Sequence, residues 1–164
     1  MTKTLILTRH AKSSWANPGL ADHDRPLNKR GVKSARAVGK WLRKSGWHPD
    51  QSISSSSRRT RETFAEMRLA DQAEFTDALY HAGAPQMRKV LQGATGQVVM
   101  MLGHNPGIGE FAEQLVSAPP GHSRFYDYPT CATLIVKFDI ADWSELLWNT
   151  GEVVDFAIPR ELPA

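Results

Sequence analysis

Short apolar runs alternate along the chain with longer stretches of helical spacing, and this alternation predicts the fold. Thr4–Thr8 (TLILT), Gln97–Leu102 (QVVMML) and Thr133–Phe138 (TLIVKF) are apolar for most of their length. Such runs suit strands buried on both faces. Gln51–Ser55 reads as a weaker strand, and Val153–Ile158, which alternates, as the last. Helices fall between them. Asn28 can cap one whose apolar positions are Val32, Ala35, Val38 and Leu42, with Gly46 as its stop. Arg59–Leu69 carries Phe64 and Met67 three apart. Ala84–Leu91 has Pro85 near its start, where a missing N–H costs little. Gly107–Val116 follows Pro106. Residues 12–27 contain Pro18, Gly19 and Pro26 and read as a long loop. Strands alternating with helices imply an α/β protein, a three-layer α/β/α sandwich with a mostly parallel central sheet. No repeat, linker or low-complexity segment divides the 164 residues, so a single domain over 1–164 is expected.

Composition narrows the function. Hydrophobic residues make up 41% of the chain, enough for a sizeable core, and 23% are charged, which argues against disorder. The net charge of +3 does not call for nucleic acid, and the basic residues lack interleaved aromatics; the excess suits an anionic ligand if it is focused in one cleft. One cysteine, Cys131, excludes an intramolecular disulfide and a cysteine metal cluster, and is expected to be a buried small hydrophobe. No apolar run approaches the roughly 20 residues of a membrane span. The apolar start before Arg9 is too short for a signal-peptide core. A cytoplasmic setting is expected.

In parallel α/β sheets ligands sit at the carboxyl ends of the strands. Thr8-Arg9-His10 follows the first strand, Ser55 to Arg59 the second, and Gly103-His104-Asn105-Pro106-Gly107 the strand QVVMML. Two histidines and several arginines therefore converge on one sheet edge. Guanidinium groups match phosphate oxygens and keep their charge, and imidazole can attack phosphorus or move a proton. Two histidines flanked by two arginines make a positive pocket for a phosphoryl group, whose transfer depends on positioning and on neutralising the equatorial oxygens. Backbone N–H groups at the helix start after Gly103 also favour an anion.

Thr8-Arg9-His10-Ala11 resembles the Arg-His-Gly signature of the histidine phosphatase superfamily. Ser55-x-x-x-Arg59-x-x-x-Thr63 is similar to its second arginine motif, and Gly103-His104-Asn105 to its second-histidine motif. Asp22-His23-Asp24-Arg25-Pro26-Leu27-Asn28-Lys29-Arg30-Gly31, Pro129-Thr130-Cys131-Ala132 and the closing Trp148–Pro159 stretch resemble the small SixA-type phosphohistidine phosphatases. The likeness spans almost the whole chain. It implies that His10 is the nucleophile that becomes phosphorylated and that Arg9 and Arg59 clamp the phosphoryl oxygens. It also implies that His104 completes the pocket, that Ser13 and Asn105 bind substrate, and that neither metal nor organic cofactor is needed. The implied substrate is a phosphorylated one, first of all phosphohistidine on a signalling protein. A small phosphomonoester and a non-catalytic phosphate-binding role are the alternatives.

Departures from the pattern sharpen this. Ala11 stands where glycine is usual. Ala16 occupies the position of a phosphate-contacting asparagine, with Asn17 one residue on. Leu79-Tyr80-His81-Ala82-Gly83 lacks the glutamate that mutase-type members use as general acid. An alkoxide leaving group needs a positioned acid, whereas the imidazole of phosphohistidine needs one less, so the missing glutamate favours P–N substrates. Asp22 or Asp24 is the candidate proton donor. Ordinary structural roles are expected for Ser55 as a helix cap, Arg25 as a loop anchor bordering the pocket, Arg58 and Arg61 as solvated residues, and His23, His48 and His122 as surface or loop residues. His81 is a further surface candidate that could line the cleft.

Overall fold

The computed structural model describes residues 2–163. β1 (Lys3–Arg9), β2 (Gln51–Ser55), β3 (Glu74–Thr76), β4 (Val98–Gly103), β5 (Thr133–Phe138) and β6 (Glu152–Ala157) form one six-stranded sheet in the order β3-β2-β4-β1-β5-β6. β4 pairs in parallel with both β1 and β2, and β2 with β3; β5 runs antiparallel to β1 and to β6. Four helices flank it: α1 (Lys29–Lys44), α2 (Arg58–Met67), α3 (Ala84–Gln92) and α4 (Gly107–Leu115).

The continuous apolar runs are explained by burial on both faces. Leu5 and Leu7 of β1 point into one core with Met87 and Leu91 of α3 and with Ile108, Phe111 and Leu115 of α4. Ile6, between them, points into the other, with Ala35, Val38 and Leu42 of α1 and Phe64 and Met67 of α2. This is the expected α/β/α sandwich. Asn28 caps α1 as its position suggests, its side chain accepting from the Gly31 amide at 2.8 Å. Gly46 takes a positive φ of 81° just beyond that helix. β3 went unread in the sequence: it has three residues and lies at the sheet edge. The loop over 12–27 holds one short 3-10 turn, Asp22–Asp24, and is pinned by a bridge between Ser13 and Leu27. Among the described residues no helix is long and apolar enough to cross a membrane.

Strand register positions the site. Arg9 lies opposite Gly103, Thr8 opposite both Leu102 and Thr133, and Ser54 opposite Leu102. The carboxyl ends of β1, β2 and β4 thus end at one edge. Because β5 is antiparallel, its entry segment reaches the same edge: the Cys131 amide donates to the His10 carbonyl at 3.0 Å and the Arg9 amide to the Ala132 carbonyl at 3.1 Å.

Candidate active site

The imidazoles of His10 and His104, 94 positions apart in the chain, lie with ring centroids 5.1 Å apart and planes tilted by 51°. They line a pocket of about 280 Å³ together with Arg9, Lys12, Ser13, Trp15, Arg25, Arg59, His81, Asn105 and Thr130. Four of these side chains are cationic and none is a carboxylate, so the pocket favours an anion.

His10 is 7% exposed, and its Nδ1 lies 2.7 Å from the Ala11 carbonyl oxygen. A carbonyl only accepts, so Nδ1 carries the proton and Nε2 keeps its lone pair. Burial, opposed by that hydrogen bond and reinforced by the charges of Arg9, Arg59 and Arg25, pulls the His10 pKa down to about 3. The ring is therefore neutral at physiological pH. The Ala11 amide donates to Thr63 Oγ1 at 2.9 Å, and that hydroxyl donates to the Arg59 carbonyl at 2.7 Å. This links the loop after β1 to α2 and explains the Arg59-to-Thr63 spacing.

The serine run Ser54–Ser57 positions the second arginine and the second histidine. Ser57, not Ser55, caps α2, accepting from the Thr60 amide. Ser55 Oγ instead lies 2.8 Å from His104 Nε2. His104 Nδ1 faces Arg59 Nη2 at 3.3 Å. A guanidinium only donates, so Nδ1 is the acceptor and Nε2–H donates to Ser55. Burial, together with the charges of His10, Arg59 and His81 and against that of Asp22, lowers the His104 pKa to about 2.

Arg59 is 3% exposed, whereas Arg58 points outward to an ion pair with Glu62 at 3.0 Å. Arg59 Nη1 donates to the Asp22 carbonyl at 2.7 Å and Nη2 to its carboxylate at 3.0 Å. Arg9 Nη1 donates to the Tyr128 carbonyl at 3.2 Å, and burial followed by the charge of Arg59 lowers its pKa. The Nε atoms of both arginines are buried with no protein acceptor. Two such donors call for an anionic partner.

The proposed proton donors need correction. The Asp24 carboxylate is absent from the pocket lining and sits 3.8 Å from His23 Nδ1, largely exposed. Asp22 meets Arg59 at 3.0 Å, Arg25 at 3.2 Å and the Tyr80 hydroxyl, which donates at 2.6 Å. Partial burial would raise its pKa, but the hydrogen bonds from Tyr80 and Arg59, the charge of Arg59 and the bond from Arg25 outweigh it and hold the carboxyl well below the usual range. Asp22 carries no proton to give near neutrality.

Ser13 and Asn105 both line the pocket, each with a structural duty. Ser13 Oγ accepts from Arg25 Nη1 at 2.6 Å. The Asn105 amide donates to the carbonyls of Asp127 and Tyr128 and accepts from the Gly109 amide, tying α4 to the segment before β5. Arg25 is buried, with its guanidinium 3.6 Å from the ring of Trp15, which is 76% exposed at the rim. His81 sits in the left-handed region at φ 56°, its ring 5.8 Å from His104 and its Nε2 3.5 Å from Asp22. Thr130, of the motif Pro129-Thr130-Cys131-Ala132, also lines the pocket, as does Lys12, which was not singled out in the sequence. Among the described residues no group of three or more His, Cys, Asp or Glu side chains is arranged to hold a metal ion.

Comparison with known proteins agrees with this geometry. The family model for the Histidine phosphatase superfamily (branch 1) matches residues 5–80. An uncharacterized chloroplastic protein of Arabidopsis thaliana is 35% identical over 92% of this chain and 73% of its own length. A candidate phosphohistidine phosphatase, SixA, from Nakamurella multipartitia superposes with a TM-score of 0.82 at 26% identity, covering 97% of each chain. A candidate phosphohistidine phosphatase SixA from Agrobacterium tumefaciens gives 0.78 at 25% identity, covering 96% of this chain and 98% of its own. The chain belongs to the histidine phosphatase superfamily, in a form similar to its SixA-type members.

Proposed function

We propose that this chain is a phosphatase that acts through a phosphohistidine intermediate on His10, with phosphohistidine borne by a protein as its substrate. The observation that carries this is the His10 tautomer: a buried neutral imidazole, Nδ1–H bound to a carbonyl and Nε2 free, beside two guanidinium groups with orphaned donors. Attack by Nε2 on phosphorus breaks the bond to the leaving group and forms the N–P bond. Arg9 and Arg59 neutralise the equatorial oxygens as charge shifts onto them. His104 accepts from Arg59 at Nδ1, so it aims that guanidinium at the phosphoryl oxygens and completes the pocket wall beside His10. Water then cleaves the N–P bond and releases inorganic phosphate. Ser13 orders Arg25 at the rim, and Asn105 holds the segment whose Tyr128 carbonyl fixes Arg9. His81 and Lys12 are lining side chains that none of these duties occupies. The reaction needs no cofactor, and the whole of 1–164 acts as one domain in a cytoplasmic setting.

The pocket is small and rimmed by the exposed side chains of Trp15 and His81, which suits a phosphoryl group presented on a protein surface. The SixA-type likeness supports the same substrate. Brief incubation with a labelled phosphodonor tests the mechanism. Acid-labile, base-stable label should appear on the protein and be absent from His10→Ala. Binding of phosphate or vanadate without any label or turnover would reduce the protein to a binder. Turnover of sugar or nucleotide phosphates far above that of phosphohistidine would replace the substrate with a small phosphomonoester.

A further inference from the structure

A second concavity, of about 470 Å³, adjoins the pocket and shares Lys12 and Thr130 with it. Its walls come from the start of α1, from the segment before β5 and from the 3-10 turn Pro159–Glu161. Lys12, Arg30, Lys33, Arg124 and Arg160 line it, and among the described residues no carboxylate does. Arg124 is paired with Asp127 at 2.8 Å, but no ion pair engages Lys12, Arg30, Lys33 or Arg160 among the described residues. In a chain with 17 acidic residues, this is a local imbalance.

The helix itself marks the place. α1 has sixteen residues, of which Lys29, Arg30, Lys33, Arg36, Lys40, Arg43 and Lys44 are cationic and none is acidic. Lys29 and Arg30 stand in its first turn, where the macrodipole is already positive and acidic residues are the favourable choice. Local stability argues against that arrangement, and an anionic partner would reverse its sign. Between the cations the groove has apolar floor from Ile158, Pro159 and Leu162, and it has no aromatic lining on which bases could stack.

We propose that this groove docks an acidic polypeptide segment flanking the phosphorylated residue of the substrate, with Arg30, Lys33 and Arg160 as its specificity-determining cations. The inference rests on the protein-phosphatase reading and deepens it. Peptide fits better than polynucleotide because cations alternate with apolar surface and stacking platforms are missing.

Binding and turnover are read separately. A fluorescent, unphosphorylated peptide with Asp/Glu flanks is titrated into the full chain, and a neutral-flank peptide serves as control. Two charge reversals, Lys33→Glu with Arg160→Glu, should weaken the acidic peptide about tenfold and leave the neutral one unchanged. Raising salt from about 50 to about 300 mM should shrink the difference. Hydrolysis of phosphoramidate by the same variant should be unaltered. Equal binding of both peptides, undiminished binding by the variant, or tighter binding of a single-stranded oligonucleotide than of the acidic peptide would overturn the docking proposal. Loss of phosphoramidate turnover in the unaltered chain would instead strike at the His10 mechanism, without touching the binding result.

Discussion

Asp22 Oδ2 sits 3.0 Å from Arg59 Nη2, and the Asp22 carbonyl accepts from Nη1 of the same guanidinium at 2.7 Å. One residue of the loop after β1 thus grips both outer nitrogens of the arginine delivered by α2. Asp22 is a positioning residue, since it is absent from the pocket lining and reaches it through Arg59, Arg25 and His81. Asp22→Asn should lower kcat/KM about tenfold, mainly through KM for phosphate-bearing substrates. The basic limb of the pH profile should keep its position, because an ionised carboxylate has no proton to lose there. Disappearance of that limb would restore Asp22 as the proton donor. Asp24→Asn should change nothing.

His81 also lines the pocket and stands free of these duties. If it protonates the leaving group, His81→Asn should cost little on p-nitrophenyl phosphate, whose phenolate departs readily. An alkyl phosphate should slow by about a hundredfold. Equal losses on both would assign His81 to binding.

Acid stability follows from the two buried histidines. In the unfolded chain an imidazole protonates near pH 6.5, whereas His10 and His104 in the fold resist protonation down to about 3 and about 2. Between those values the unfolded state binds more protons, so stability is full above about pH 6.5 and falls as the pH drops below it. Each group contributes a slope of up to about 1.4 kcal/mol per pH unit. Chemical denaturation between about pH 6.5 and 5 avoids the carboxylates, and there His10→Gln should show a shallower loss than the unaltered chain. Parallel curves would mean that His10 is not held neutral.

Ser55→Ala removes the acceptor for His104 Nε2–H and leaves a buried donor unpaired. The expected cost is about 1–3 kcal/mol, a fall of roughly 3–10 °C in Tm. Activity should drop further than stability alone predicts, since the ring loses its orientation. A variant of full activity would show that Arg59 alone orients His104.

Gly107 is fixed by contact. A Cβ there would lie 1.8 Å from the Ala82 carbonyl oxygen, whereas one at Gly121 would meet nothing within 4 Å. Gly107→Ala should cost about 1–3 kcal/mol through forced movement of the segment next to His81. Gly121→Ala should stay within about 0.5 kcal/mol. Equal thermal shifts would remove the argument that the 81–83 segment is braced by α4.

What could be read in the sequence depended on burial. β1, β4 and β5 announced themselves because both faces are covered and polar residues are excluded from their centres. Arg9, His10 and His104 were found because they end or directly follow a strand, and Arg59 because it stands in the first turn of the helix after β2. Ser55 was misjudged as a cap: its partner, His104, is 49 positions away, and no local pattern records the bond. The same holds for the Asp22–Arg59 grip, which depends on how the loop over 12–27 folds back, and for the left-handed backbone of His81, where a non-glycine residue gives no sign of its φ.

The strand order also bears on how the site comes into being. β4 lies between β1 and β2 and is the neighbour both strands share. Residues 5–80 contain Arg9, His10 and Arg59, yet without β4 those residues have no common edge to stand on. Most of the recognisable signature therefore precedes, in the chain, the strand that unites it. His104 joins that edge only with strand 98–103, so one central strand ties the early and late parts of the site together.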